Sequence, residues 1–187
     1  QPSAATEWRN NWTLVLAALA GMMLSALATG SIGVMMEPLE REFGWSRTEI
    51  ASGPALVSLV AMALATGVGL GIDRIGARRV GIAAAVLMCA AIGLMASTSA
   101  ALWHWLALWS LVGLAAAAMP TVWLVPISGT FAASRGLALA VALSGTGLTN
   151  ALVPIVTHSL VESHGWRVAY MGIAALWAVC ILPLVVL

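Results

Sequence analysis

Residues 69–79 read Gly-Leu-Gly-Ile-Asp-Arg-Ile-Gly-Ala-Arg-Arg, a short charged stretch between two long apolar runs. The run before it, residues 50–72, has no charged residue, and residues 80–134 after it contain no Arg, Asp or Glu. Because an α-helix rises about 1.5 Å per residue, about 20 apolar residues cross the ~30 Å hydrocarbon core of a bilayer. The stretch is therefore predicted to be a tight loop between two membrane-spanning helices, with Gly76 free to adopt a positive φ.

The whole chain has the composition of a membrane protein. Of its 187 residues, 61% are hydrophobic and 8% are charged, whereas a soluble domain carries about 25% charged residues. The net charge of +1 gives no field that would favour nucleic acid as a partner. Cys89 and Cys180 lie in apolar runs and are interpreted as buried hydrophobic residues, so no metal or other cofactor is expected. The partner that this composition predicts is the lipid bilayer.

Six apolar runs divide the chain into predicted spans and indicate an all-α membrane protein. The runs are continuous rather than alternating, which excludes the strands of a β-barrel. Ser46 and Glu49 form a capping-box pattern, which predicts that the second helix begins at about Arg47. The predicted spans are residues 12–36, 50–72, 80–96, 101–127, 137–161 and 168–187.

Arginines and tryptophans predict how the helices sit in the bilayer, because cytoplasmic loops are enriched in basic residues and indole rings favour the headgroup level. A cytoplasmic N-terminus places more arginines inside than outside, which is the expected bias. The inner set is Arg9, Arg74, Arg78, Arg79 and Arg135, and the outer set is Arg41, Arg47 and Arg167. The tryptophans expected at span ends are Trp8, Trp12, Trp45, Trp103, Trp105 and Trp166.

The charges of the loop at residues 69–79 are locally unfavourable. Asp73 ends one predicted helix, and Arg78 and Arg79 begin the next, so each charge opposes the helix macrodipole. Two interpretations follow. Either these charges meet partners elsewhere, such as another helix terminus, or the loop is a tight basic loop that only marks the cytoplasmic side.

The same stretch resembles motif A of the major facilitator superfamily, the G-x-x-x-D-R-x-G-R-R pattern between the second and third helices of that family. Gly69, Asp73, Arg74, Gly76 and Arg78 match, Arg79 supplies an extra base, and Ala77 stands where a basic residue is usual. The resemblance implies that the chain is the N-terminal six-helix half, built from two three-helix repeats, of a twelve-helix transporter. It also implies that Asp73 contacts the C-terminal half and acts as a latch between conformational states.

Further stretches resemble the same superfamily, including residues 135–136 and 165–167. Residues 43–47, Phe-Gly-Trp-Ser-Arg, are similar to bacterial monocarboxylate and oxalate/formate porters, and residues 7–12 loosely resemble the entry motif of that branch without its glycines. This resemblance implies alternating-access transport of a small organic anion across a bacterial inner membrane. Efflux of sugars or drug-like compounds is the alternative, although Trp109 replaces the arginine of the proton-antiporter signature.

Polar residues within the spans are the candidates for a substrate cavity, which in this architecture lies near the midplane between the halves. Asn150 is near the centre of the fifth span, and it either lines the cavity or forms an interhelical hydrogen bond. Family position and polarity together select Met22, Ser25, Thr29, Met119, Thr121, Trp123 and Asn150.

No Asp, Glu, Lys or Arg lies in the middle of a predicted span, although buried charges usually mark ion coupling. Proton coupling would therefore depend on the C-terminal half or on His158, in the outer part of the fifth span. The alternative for His158 is a hydrogen bond to a neighbouring helix. The chain lacks an initiator Met and ends in an apolar stretch, so the C-terminal half is expected to lie outside it.

Small residues follow small-residue spacing on the second and fifth spans and are expected to permit close helix packing. They are Gly67, Gly69 and Gly71 on the second span, and Ala138, Ala142 and Thr146 on the fifth.

Other classes of membrane protein fit less well. An intramembrane serine protease needs a Gly-x-Ser-Gly motif and a histidine on another helix, whereas Ser144 and His158 share one predicted helix and the first glycine is missing. The chain is therefore not expected to be an enzyme. A channel would need a filter-like loop or a ring of charges, which the sequence does not show. A non-transporting membrane scaffold stays an alternative.

Overall fold

The computed structural model describes residues 3–186, which form a bundle of α-helices joined by short loops. The helices are α1 Ala4–Ser25, α2 Leu27–Phe43, α3 Arg47–Ile75, α4 Ala77–Leu94, α5 Leu102–Thr130, α6 Arg135–His164 and α7 Trp166–Val186, with a 3-10 turn at Met95–Ser97. With α1 and α2 taken together as Ala4–Phe43, six segments are long and apolar enough to cross a membrane. The predicted class, an all-α protein with six spans, is confirmed.

The first span differs most from its prediction. Residues 12–36 were expected as one helix, whereas the structure has two helices that meet at Ala26 and together run from Ala4 to Phe43. The polar residues before residue 12 and after residue 36 are also helical, because capping residues stand further out at each end. Ser3 accepts from the backbone N–H of Thr6, and Gly44 ends α2 in the left-handed region, at φ 69°. Leu187, the last residue of the predicted sixth span, lies outside the described residues.

The connections alternate between two faces of the bundle. The N-terminal face carries Ala4, Gly76 between α3 and α4, and residues 131–134 between α5 and α6. The distal face carries residues 44–46, residues 98–101 and the connection between α6 and α7. The capping box at the start of α3 is present, since Ser46 accepts from the Glu49 N–H and the Glu49 carboxylate accepts from the Ser46 N–H at 2.8 Å.

Helix α5 lies at the centre and packs against α1, α3 and α4, while α1 packs along α6 and α4 along α7. Two buried tryptophans of α5 make this packing close. The ring of Trp109 lies against Gly53 of α3, and the ring of Trp123 lies against Gly21 of α1. A Cβ at either glycine would overlap the indole, so the helices reach this separation only because those positions lack a side chain.

Three of the tryptophans predicted near span ends lie there but point into the bundle. Trp45, Trp105 and Trp166 are buried in the bundle, whereas Trp12 and Trp103 are exposed. In each of these three tryptophans the indole N–H has a protein acceptor. Trp45 donates to the Ala100 carbonyl and Trp105 to the Ile50 carbonyl, both at 3.2 Å, and Trp166 donates to Glu42 at 2.6 Å. These tryptophans fasten helices together on the distal face.

The two rows of small residues behave differently. Ala138 and Ala142 of α6 are fully buried. Gly67, Gly69 and Gly71 of α3 face open space, because a Cβ at any of them would meet nothing within 4 Å. Beyond Gly53, α3 has no buried residue. A long apolar helix face is thus left uncovered by the described chain.

Candidate functional site

The turn between α3 and α4 consists of one non-helical residue. Gly76 has φ 89° and ψ 146°, a conformation that residues with a side chain rarely adopt. Its N–H donates to the Ile72 carbonyl at 2.9 Å and closes α3. The turn therefore places Asp73, in the last turn of α3, and Arg78, in the first turn of α4, at the same end of the bundle.

Asp73, Arg74 and Arg79 are exposed on the N-terminal face. Within residues 3–186, Asp73 has no hydrogen-bond or ion-pair partner. A carboxylate in the last helical turn is disfavoured by the negative end of the macrodipole. Asp73 is thus available to a positively charged group outside the described residues.

A cavity of about 320 Å³ opens beside this turn, between α1, α4 and α5. Its walls are mostly apolar, with the Arg78 side chain and the Thr13 hydroxyl as polar groups. The lining residues are Thr13, Leu14, Ala17, Ala77, Arg78, Val122, Trp123 and Pro126. This cavity can hold a small apolar group next to the Arg78 guanidinium. It also brings Arg78 of the turn together with Trp123, a residue predicted for the substrate cavity.

The other predicted cavity residues are divided between the core and the surface. Met22 and Met119 are buried among the helices, and Met119 accepts through sulfur from the Trp123 indole N–H at 3.3 Å. Thr121 is exposed on α5. Ser25, Thr29 and Asn150 are accessible and lie around the junction of α1 and α2.

Three hydroxyl groups donate to backbone carbonyls around the junction of α1 and α2. Ser25 donates to the Met22 carbonyl at 2.8 Å and Thr29 to the Ala26 carbonyl at 3.2 Å. The Thr149 hydroxyl of α6 donates a hydrogen bond to the Met23 carbonyl of α1 at 2.9 Å.

Asn150 lies beside this junction, since its Oδ1 is 3.2 Å from where a Cβ on Gly30 would stand. Discontinuous helices of this kind often surround substrate sites in transporters, because their backbone groups become available to a ligand.

His158 is at the distal end of α6 rather than in the middle of a span. Its Nε2 lies 3.2 Å from Glu162 Oε1, one helical turn on, and both side chains are exposed. The two residues line a cleft of about 300 Å³ between α2 and α6, which also holds Glu37 and Arg41, themselves an ion pair. The cleft is a polar surface site on the distal face.

The geometry does not assemble a serine-protease dyad from Ser144 and His158. Both lie on α6, and their separation along the chain corresponds to about 21 Å along a helix axis. Ser144 donates to the Val141 carbonyl at 2.7 Å. No group of three or more His, Cys, Asp or Glu residues that could hold a metal occurs within residues 3–186.

Sequence reasoning missed the role of Glu7. Its carboxylate is buried and accepts from the backbone N–H groups of Ala132, Ala133 and Ser134 at 3.0–3.1 Å, and from the Ser134 hydroxyl at 3.0 Å. These N–H groups precede α6, whose positive end favours a carboxylate. Trp8 packs edge-on against Phe131, with ring centroids 5.6 Å apart. Residues 7–8 therefore fasten the start of α1 to the loop before α6. The sequence feature that could have indicated this contact is the acidic residue next to a tryptophan at positions 7–8.

A second carboxylate clasp lies on the distal face. Glu42, at the end of α2, accepts from the Trp166 indole N–H and from Arg167, both at 2.6 Å. The Arg167 guanidinium stacks on the Trp166 ring at 4.2 Å from its centroid. Residues 43–47 and 165–167, which the sequence analysis treated as separate signatures, thus belong to one aromatic cluster that joins α2 to α7.

Residues 18–187 match the family model described as Major Facilitator Superfamily. No curated protein matches the chain.

Proposed function

Because this chain belongs to the major facilitator superfamily, we propose that it is the N-terminal half of a secondary transporter that moves a small organic anion by alternating access. The chain is a multi-pass membrane protein of a transport family. The proposal adds the substrate class, the mechanism and the second half.

The uncovered face of α3 is the observation that carries the two-half mechanism. No residue in the most apolar part of α3 is fully buried within the chain, whereas half of those in the corresponding part of α5 are. The open positions Gly67 and Gly71, which lie one helical turn apart on the same face, would let another helix approach closely. A second six-helix half with a complementary surface fits this face, and rocking of the two halves would expose a central site to each side in turn.

Asp73 fits the role of a latch between the halves. It is exposed at the end of α3, next to the uncovered face, and no described residue neutralises it. The N-terminal face is then cytoplasmic, in keeping with its excess of arginine, and the membrane is a bacterial inner membrane. A positive group of the C-terminal half would hold Asp73 when the cytoplasmic side is closed.

The substrate class rests on the likeness of residues 43–47 to carboxylate porters. The accessible polar groups at the α1–α2 junction, Ser25, Thr29 and Asn150, are uncharged hydrogen-bonding groups. They can position a carboxylate, and its countercharge would come from the C-terminal half. Any proton coupling would come from that half or from His158, which lies near the distal end of its span.

Uptake of labelled carboxylates into proteoliposomes tests this function. The full-length protein from the same gene and the 187-residue chain are reconstituted separately and offered the same panel of mono- and dicarboxylates, with uncharged sugars as the comparison. We expect saturable carboxylate uptake by the full-length protein alone.

Two results would contradict the proposal. Transport by the 187-residue chain alone would replace the half-transporter with a homodimeric carrier. Sugar uptake without carboxylate uptake would overturn the substrate class and leave the two-half mechanism in place.

A further inference from the structure

We propose that Glu162 is a second latch, on the distal face, which binds a positively charged group of the C-terminal half when the outer side of the transporter is closed. This inference rests on the proposed function, because it requires a second half and alternating access. It assigns a role to a residue that the motif at residues 69–79 does not include.

The two connections between spans one and two and between spans four and five repeat each other in sequence. The first connection has a proline at position 38, a phenylalanine at 43 and Ser-Arg at 46–47. The second reads proline at 126, phenylalanine at 131, and Ser-Arg at 134–135, so the two are offset by 88 residues. In each, the serine is the N-cap residue of the next helix. Its backbone N–H donates to a carboxylate, that of Glu49 in the first connection and that of Glu7 in the second. The chain therefore contains two related three-helix units.

The next pair of connections shows the same relation in backbone conformation. Gly76 and Gly165 are each the one residue between two long helices. Gly76 has φ 89° and ψ 146°, and Gly165 has φ 82° and ψ 165°. An acid stands three residues before each glycine, Asp73 and Glu162, and an arginine stands two residues after each. The offset here is 89 residues, close to that of the other pair.

The repeat places the two acids on opposite faces of the membrane. Each unit crosses the membrane three times, so the second unit is inverted relative to the first. Asp73 lies on the N-terminal face and Glu162 on the distal face. If the first acid fastens the halves on one side, its counterpart is placed to fasten them on the other, in the opposite state.

The surroundings of Glu162 leave it available for such a contact. Its side chain is 68% exposed, in the last turn of α6, where the macrodipole disfavours a carboxylate. Its one ion-pair partner within residues 3–186 is His158, a residue of the same helix, and both side chains are mostly exposed. The arginine of this turn, Arg167, is already held by Glu42. Glu162 thus borders the open cleft between α2 and α6 and can accept an arginine or a helix N-terminus there.

The test compares state-dependent labelling in the full-length protein. Cys89 and Cys180 are replaced by serine, and Thr29→Cys serves as the reporter for a membrane-impermeant thiol reagent added from outside. Glu162→Gln should raise the labelling rate about twofold to fivefold, the population shift expected from the loss of one exposed ion pair. Asp73→Asn should lower it, because the cytoplasmic side then opens more often. The double variant should return toward the parent rate.

Glu37→Gln is the matched control. Glu37 borders the same cleft, is also 68% exposed, and also pairs with a residue one turn along its helix. Its replacement should leave labelling unchanged, because it has no counterpart in the repeat. Equal effects of Glu37→Gln and Glu162→Gln would reduce the result to general surface charge and overturn the latch.

The experiment separates the two levels of the proposal. A fall with Asp73→Asn and no change with Glu162→Gln would overturn the second latch and leave the transporter mechanism standing. No change with either variant, together with absence of uptake in proteoliposomes, would overturn both.

Discussion

Glu7 and Glu42 show that single carboxylates hold the ends of this bundle together. Each collects several donors from a connection distant in sequence, Glu7 from residues 132–134 and Glu42 from residues 166–167. Hydrogen bonds to a charged acceptor are about twice as strong as neutral ones, so these clasps order loops that have little apolar surface to bury. Asp73 contrasts with both, because it has no partner within the described chain.

Replacement of Asp73 by asparagine should slow transport without weakening substrate binding. The carboxylate is expected to contact the C-terminal half rather than the substrate, so its loss changes the exchange between states. We expect a maximal uptake rate about tenfold lower, as for the loss of a charge-assisted hydrogen bond, with the substrate Kd unchanged by direct binding measurement.

Asp73→Glu is the control for this variant, because it keeps the charge and should retain most of the rate. An uptake rate equal to that of the parent in Asp73→Asn would remove the latch role from this residue.

At the scale of elements, α1 and α6 approach each other through backbone atoms at Gly145. A Cβ on Gly145 would overlap the Leu19 carbonyl oxygen and stand 3.1 Å from the Met23 N–H nitrogen. Thr149, one turn further on, donates to the Met23 carbonyl. The two helices are thus in backbone contact directly beside the α1–α2 junction.

Gly145→Ala should destabilise the protein by about 1–3 kcal/mol, because the helices must separate to admit the methyl group. Thermal unfolding of the detergent-solubilised full-length protein measures this. Gly147→Ala is the control on the same helix, since its Cβ would meet nothing within 4 Å. Equal melting temperatures for the two variants would show that the α1–α6 contact is looser than described.

At the scale of the whole molecule, the bundle is well packed on one side and open on the other. Its core lies around α5, where Trp105, Trp109 and Trp123 are buried. The face formed by α3 exposes Leu59, Met62 and the row of glycines instead. Apolar residues on such a face suit lipid, but two open glycines one turn apart, Gly67 and Gly71, suit a closely packed helix.

Gly67→Leu should therefore impair transport while leaving the packing of the described helices intact. A Cβ at this position would meet no atom of this chain within 4 Å, whereas a leucine there would overpack a docked helix, which typically costs about 1–3 kcal/mol. We expect the uptake rate of the full-length protein to fall roughly tenfold or more, with unchanged expression in the membrane. Gly129→Leu, equally open but one residue from the end of α5, should have little effect, and full activity in Gly67→Leu would argue that lipid covers α3.

The sequence was sufficient for the features that depend on neighbours along the chain. Apolar run length identified six spans, since the bilayer thickness sets how many residues a helix needs. The Ser46–Glu49 capping box and the tight turn at Gly76 were also predicted correctly, because each depends on local backbone geometry. The family followed from the spacing of the residues around that turn.

Only the tertiary structure decided which side chains meet across the bundle. Trp105 and Trp166 were predicted near span ends, and the structure shows that their rings are buried in the bundle. Their indole N–H groups donate to acceptors more than 50 residues away in sequence. Met22 and Met119 were predicted from the sequence to line the substrate cavity, and in the structure they are buried in the core. A hydrophobic pattern in a membrane cannot tell lipid from protein, since both are apolar, so the inner and outer faces of each helix were fixed by packing alone.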